Sequence, residues 1–383
     1  MDRIYLDNAA TTALDPEVLE AMMPYLTGKF GNPSSIYSYG REAKMAVESA
    51  RKSVAKILHC TPGEVFFTSG GTESTNTVLC GSVKKLGIRH IITSPIEHHA
   101  TLHTVEQLEK EGCIRLSYVR LLPNGHIDLG HLEELLTAAA EKTLVSLMHA
   151  NNEVGHLLKI KAVAALCEKY GALFHSDMVQ TVAHYPIDLS KIKVHFASAA
   201  GHKFHGPKGT GVLYINGEVQ ILPLIQGGAQ ERNMRAGTEN VAGIVGFAKA
   251  LELATERYED YRAHISGLRQ YMHEQLLETF PGVVCNSELE HGLYTVLNIS
   301  FPKTDKTEML LFSLDMSGIC VSGGSACSSG ANHISHVIKA LHGEQAEEMV
   351  PIRFSFSHHN TKAEVDQVMS RLKELLPKEA VSC

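Results

Sequence analysis

The sequence predicts an α/β protein: a mostly parallel sheet between helices, followed by a smaller α+β part. Three observations carry this expectation. From about Glu64, short apolar runs alternate with helical patterns, as strands joined by crossover helices do. A long helical pattern from about Asn240 to Leu277 then separates these runs from a second apolar set. The length of 383 residues, with 44% hydrophobic and 20% charged, suits one large and one small domain with an ample core.

In chain order, EVFFT, HIIT, RLSYV, TLVSLMHA, ALFHSD and VHFASAA read as strands. Between them STNTVLCGSVKKLG, ATLHTVEQLEKEG and IKAVAALCEKYG read as helices. The C-terminal part contributes strand-like GLYTVLNISF, SGICVS and PIRFSF, and closes on the amphipathic KAEVDQVMSRLKELL. Extended N-terminal residues are expected to join it. The division expected is a large domain over 16–255, with 1–15 and 256–383 forming the small one.

Bulk properties exclude several functions. A net charge of −7 gives no basic face for nucleic acid. No apolar run reaches the roughly 20 residues of a membrane span, and MDRIYLDNAATT lacks the apolar core of a signal peptide. The eight cysteines form no CxxC pair, so free thiols in a reducing cytoplasm are expected for most of them. Cys383 at the C-terminus reads as a tail thiol.

In such sheets ligands sit beyond the carboxyl ends of the strands, and candidate residues fall there. Lys203, in GHKFHGPKGTG after VHFASAA, is a surface lysine or a pocket lysine able to form a Schiff base. Asp177 ends ALFHSD; it is a helix cap or the partner of a pyridinium nitrogen. TSGGTEST, with Gly71 and Thr72, is a capped helix start or a phosphate cradle. Cys327 lies among small residues in SGGSACSSG, where a thiolate is accessible. In PIEHHATLH, His99 and His103 are one helical turn apart, but no third ligand is evident and no metal site is expected. One of these histidines stacked on an aromatic cofactor fits the other segments better.

YLDNAATT, GNPSS, SGGTEST, EHHATL, NNEVG, HSDMVQ, GHKFHGPKG, ERNMRAGTEN and SACSSG occur in the order found in cysteine desulfurases. The chain resembles that family over nearly its whole length. The resemblance implies a fold-type-I transferase with a seven-stranded type of sheet and pyridoxal 5'-phosphate as cofactor. It implies that Lys203 carries the cofactor and moves the substrate Cα proton, and that Asp177 pairs with the ring nitrogen. Asn152 and Gln180 would reach the ring hydroxyl, and His98 would stack on the ring. Gly71, Thr72, His202 and, from the partner subunit of a homodimer, Thr238 would hold the phosphate. Arg353, with Asn32, would bind the carboxylate of L-cysteine, and Cys327 would take the sulfur as a persulfide. The stretch after Cys327 is similar in length to that of the subgroup serving an iron–sulfur scaffold or a sulfur carrier for tRNA.

Three positions depart from the family pattern. Ala200 stands where a phosphate-binding hydroxyl is usual, with Ser198 nearby. Met178 replaces an alanine, and FSHHNT follows Arg353 in place of a Leu-Gly-Arg run. Another fold-type-I enzyme, such as an aminotransferase or a selenocysteine lyase, would share Lys203 and Asp177. A weakly active scaffold homologue is the remaining alternative.

Overall fold

The computed structural model describes residues 3–323 and 334–376. Strand β1 (Ile4–Tyr5) leads into helices α1 (Pro16–Leu26) and α2 (Ser38–Ile57). Asp15 caps α1 by accepting the Glu17 N–H, and Pro16 follows where its missing donor costs nothing. Strands and helices then alternate: β2 (Val65–Thr68), α3 (Gly71–Leu86), β3 (His90–Thr93), α4 (His99–Lys110), β4 (Arg115–Tyr118), α5 (Leu129–Thr137), β5 (Thr143–Ser146), α6 (Ile160–Lys169) and β6 (Leu173–Asp177). Strands β7 (Phe196–Ala200) and β8 (Gly211–Ile215) complete the region.

Among the described residues these strands form a seven-stranded sheet in the order β2-β8-β7-β6-β5-β3-β4. Only β8 runs antiparallel to its neighbours. Strands β2, β3, β5, β7 and β8 are buried along their whole length, as in a sheet covered on both faces. The six strands expected from the sequence are present. Strand β8 was not expected; its GVLYI follows so closely on the glycines of the lysine segment that it reads as part of that loop.

The long helical pattern is two helices, α7 (Val241–Glu256) and α8 (Tyr258–Thr279), which corrects the single connection expected. The break is Arg257, at φ −101° and ψ 13°, whose N–H still returns to the Leu253 carbonyl. Its physical reason is a change of partner. Phe247 and Leu251 of α7 belong to the core of the large sheet, while Ile265, Leu268, Met272 and Leu276 of α8 belong to a second core. That core continues through β9 (Val284–Cys285), β10 (Val296–Pro302), α10 (Leu310–Met316), β11 (Ile319–Cys320), β12 (Met349–Ser355) and α12 (Lys362–Leu375), with α9 (Asp305–Glu308) linking β10 to α10; α11 (His336–His342) packs Val337 and Ile338 on Ile96 and Val154 instead. Strands β12, β10 and β9 form one antiparallel sheet, and β1 pairs in parallel with β11, Ile4 opposite Ile319. We propose the domain boundary at this break, with 16–255 as the large domain, because the buried apolar sets part there.

Two polar clusters, the first of them buried, tie distant segments. Arg51 of α2 is 2% exposed and forms a bidentate pair with Glu231 at 2.7 Å to each oxygen. Glu231 also accepts the Phe67 N–H at 2.8 Å. It does so from φ 43°, ψ 42°, a left-handed conformation unusual for a residue with a side chain. The second cluster gathers His205, His358 and His359, with ring centroids 4.0–5.2 Å apart. Tyr261 of α8 stacks flat on His358 at 4.0 Å. These histidines join the turn after Lys203 to the FSHHNT segment.

Glu231→Ala should cost about 3 kcal/mol of stability, because it strands a buried guanidinium that, among the described residues, retains only Glu48 as a carboxylate partner; urea unfolding measures this. Burial lowers His205 to about 4 and His358 to about 3, with neighbouring histidines adding to the effect. Arg257 and His264 act on His358 in the same direction, and Asp15 opposes the shift at His205. The folded pKa values lie below the unfolded value of about 6.5, so the unfolded chain binds more protons in between. Stability should therefore be full above pH ~6.5 and fall as the pH drops toward 4. The urea midpoint across that range tests it.

Candidate active site

The carboxyl ends of β5, β6 and β7 open on a cavity of about 290 Å³. Parallel pairing sets Asp177 of β6 opposite Ser198 of β7. Beyond β7 a short 3-10 turn over Gly201–Lys203 brings Lys203 to the same rim. Lys203, Asp177, His98, Asn152, Gln180, His202, Gly71, Thr72 and Arg353 all line this one cavity. Ala9, Ala10, Met148 and Val179 line it too and were not singled out from the sequence.

Each side chain is held by a local device. Lys203 Nζ donates to the carbonyls of Ala9 and Ala10 at 2.7 and 2.8 Å, so the N-terminal segment supports the lysine. Asp177 Oδ1 accepts the Val179 N–H at 2.9 Å. Burial pushes the Asp177 carboxyl upward, while His98, that N–H and Lys203 pull it back. His98 caps α4 by accepting the Ala100 N–H on Nδ1 at 3.1 Å, which leaves its proton on Nε2. Burial lowers its pKa and keeps the ring neutral near pH 7. His202 Nδ1 meets the Thr11 hydroxyl at 3.2 Å, and burial lowers this ring to about 4. Gln180 Nε2 donates to the Ala9 carbonyl at 3.0 Å.

Gly71 opens α3 at the cavity wall. A Cβ there would lie 2.6 Å from Val179 Cγ2, so only glycine allows this close approach. Thr72 is exposed in the same first turn. Ala200 lines the cavity, but Ser198 does not substitute for its missing hydroxyl. Ser198 is fully buried and bonded to Thr75 Oγ1 at 3.2 Å and His175 Nε2 at 3.0 Å.

Arg353 of β12 reaches the cavity from the small sheet. Its Nη1 donates to the Asn152 carbonyl at 2.9 Å and its Nη2 to Asp7 Oδ1 at 2.7 Å. Its Nε is buried with no hydrogen-bond partner among the described residues. The backbone of Arg353 exchanges hydrogen bonds with Ser322 at 2.7 and 3.2 Å. Cys327 and Cys383 lie outside the described residues. Asn32 and Thr238 are exposed and do not line this cavity within one chain. The rings of His99 and His103 lie parallel at 4.8 Å, and His99 also stands 4.8 Å from His336. They present faces to one another, not converging nitrogens.

Glu97 stands behind the site without lining its cavity. It is fully buried, and its Oε1 accepts the Met148 N–H at 2.8 Å. Its carbonyl accepts from His336 Nε2 at 2.9 Å. It thus braces the turn that presents His98 against the end of β5 and the start of α11. Burial, with Asp177 nearby, raises its pKa well above the carboxylate range, so it is a neutral acid.

The class-V aminotransferase family model matches residues 4–368. The cysteine desulfurase IscS of Dictyoglomus turgidum is 41% identical over 98% of this chain and 95% of its own length. That of Clostridium botulinum is 42% identical over 98% and 94%. The chain belongs to the cysteine desulfurase family. Solved relatives agree in fold: a NifS-like protein superposes with a TM-score of 0.90 at 39% identity, covering 98% of this chain and 99% of that one. SspA in complex with cysteine superposes with a TM-score of 0.80 at 30% identity, covering 94% and 100%. The fold is therefore that of the fold-type-I enzymes of this family, as the sequence motifs implied.

Because Glu97 is neutral, Glu97→Gln should keep the Met148 hydrogen bond and change stability by less than ~1 kcal/mol. Glu97→Ala leaves a buried N–H unpaired and should cost about 1–3 kcal/mol. Thermal unfolding of the two variants separates these outcomes.

Proposed function

We propose that this protein is a pyridoxal-phosphate-dependent cysteine desulfurase, which converts L-cysteine to L-alanine and takes the sulfur on Cys327. The observation that carries this reading is the meeting of Lys203, Asp177, His98 and Arg353 in one cavity at the strand ends of a chain from this family.

The residues present fit the cofactor. Asp177 is a buried carboxylate with no ion-pair partner among the described residues, which suits a protonated ring nitrogen. Gly71 lines the cavity at the start of α3, a helix start whose amides favour a phosphate. Thr72 and His202 stand on the same wall. His98 offers a neutral ring pinned at Nδ1, and Asn152 and Gln180 on the cavity lining are assigned to the ring hydroxyl. Bound there, pyridoxal phosphate supplies an electron sink that makes the substrate Cα acidic and its Cβ–S bond labile.

The chain's own groups do the rest. Arg353 offers donors for the α-carboxylate and fixes the orientation of the substrate. Lys203 Nζ, supported by the Ala9 and Ala10 carbonyls, moves the Cα proton. His98 Nε2–H donates or relays a proton at the ring face. Cys327 attacks the substrate sulfur as thiolate; the new S–S bond forms as Cβ–S breaks, and alanine leaves after protonation. The backbone tie between Ser322 and Arg353 holds Ser322, which precedes Cys327 in the sequence, beside the arginine.

A homodimer completes the reading, with Thr238 of the partner subunit on the phosphate and Asn32 near the carboxylate. Exposed Phe30, Ile36, Tyr37 and Tyr39 flank Asn32 in sequence, an apolar surface that a second copy would cover. The sulfur acceptor is read as an iron–sulfur scaffold or a sulfur carrier for tRNA. Among the described residues no helix is long and apolar enough to cross a membrane, and no cysteine is in a disulfide. A cytoplasmic setting accords with the free thiols.

The test is the cofactor-loaded enzyme with L-cysteine. Sulfide and alanine are expected in equal amounts under a thiol reductant. Cys327→Ser should keep the visible absorbance of bound cofactor and lose sulfide release by 100-fold or more. Wild-type rates in that variant would remove Cys327 as acceptor, and no sulfide from the wild-type enzyme would remove the reading.

A further inference from the structure

We propose that Asp7 is a positioning residue that holds the Arg353 guanidinium as a receptor for the substrate carboxylate. The inference rests on the function proposed above and deepens it.

Arg353 is a cation at 1% exposure. A buried cation needs a counter-charge close by, or it shifts toward water or a new partner. Among the described residues, Asp7 is the only carboxylate within ion-pair distance of Arg353, at 2.7 Å. Asp7 does not line the cavity, whereas Arg353 does. Asp7 therefore stands behind the arginine and acts through it.

The hydrogen-bond pattern supports the same role. A guanidinium carries five N–H donors in a fixed fork. One on Nη1 goes to the Asn152 carbonyl and one on Nη2 goes to Asp7. The Nε donor is unpartnered. Two partners thus fix the plane of the fork, and the second N–H on each Nη remains as a donor for a carboxylate. Without Asp7, the Asn152 carbonyl alone would hold a long side chain with several rotatable bonds.

Asp7 is itself immobilised, so it can serve as a fixed reference. Its carbonyl accepts from the Ala10 and Thr11 amides and the Tyr5 hydroxyl, and it bridges to Ser355. Arg353 is fixed from the other side by β10, where it faces Asn298, and by Ser322. The short stretch from Asp7 to Ala10 therefore contacts both site cations, Arg353 through the Asp7 side chain and Lys203 through the Ala9 and Ala10 carbonyls.

The experiment compares cofactor-loaded wild type with Asp7→Asn, which keeps the size and removes the charge. The expected result is a KM for L-cysteine raised at least 10-fold, a kcat within 3-fold, and unchanged cofactor absorbance. The half-saturation of the spectral change produced by L-alanine, which carries the same α-carboxylate, should rise by a similar factor. In an Arg353→Gln background, Asp7→Asn should add no further loss, since its effect passes through the arginine. An unchanged or lowered KM, a loss confined to kcat, or a full additional loss in that background would overturn the proposal. If Asp7→Asn does not fold, Asp7→Glu is measured instead; it keeps the charge but moves it by a methylene, and an unchanged KM there overturns the proposal equally. An absence of sulfide from wild type would sink the desulfurase reading alone, because the L-alanine titration still reports on Asp7.

Discussion

The site depends on the parallel register between β6 and β7. That register places Asp177 opposite Ser198 and so brings Asp177 and Lys203 to one rim. A slip of one residue would turn Asp177 to the opposite face of the sheet. A polar rung beneath the rim holds the register. Ser146 of β5 meets His175 Nδ1 at 2.8 Å, and His175 Nε2 meets Ser198 at 3.0 Å. Burial lowers His175 to about 3, so the ring is neutral, with one donor and one acceptor to satisfy. A hydroxyl on each side does so. Ser198 is therefore committed to the sheet and unavailable to the cavity beside Ala200.

Burial sets the charges of the groups around the cavity. Desolvation keeps Glu97 and His98 neutral, and it raises Asp177 against the pull of His98 and Lys203. Charge is thereby concentrated where ligand groups are expected: a carboxylate at one wall, an ammonium at the rim and a guanidinium at the small-sheet side. Removing water from these groups makes each remaining charge more effective than it would be at the surface.

Much of this was legible in the sequence, for an identifiable reason. Strands buried on both faces are continuous apolar runs, and Asp177, Gly71, His98 and Lys203 each fall directly after one. Elements with weaker local signals were not legible. Strand β8 follows a glycine-rich loop, and α5 is only nine residues long. The break at Arg257 shows no proline or glycine, because it is set by which core each half packs against. Asp7 carried no signal of its own role, since its partner Arg353 is 346 residues away along the chain. Asn32 and Thr238 stay apart from the cavity in one chain, and nothing in the local sequence around either marks which surface it serves.

Strand β1 pairs with β11, and Asn8 donates to the Ser355 carbonyl. Strand β1 and Asn8 therefore find these partners only after β11 and β12 have been made. The large sheet has its strands complete by Ile215 and can collapse while synthesis continues. Arg353, however, is made only with β12, and until then Asp7 of the N-terminal segment has no guanidinium to pair with there. Closing so long a loop late carries an entropic cost that grows only slowly with its length. The arginine side of the catalytic centre is thus made late, so an unfinished chain can hold a folded sheet without the guanidinium that faces it.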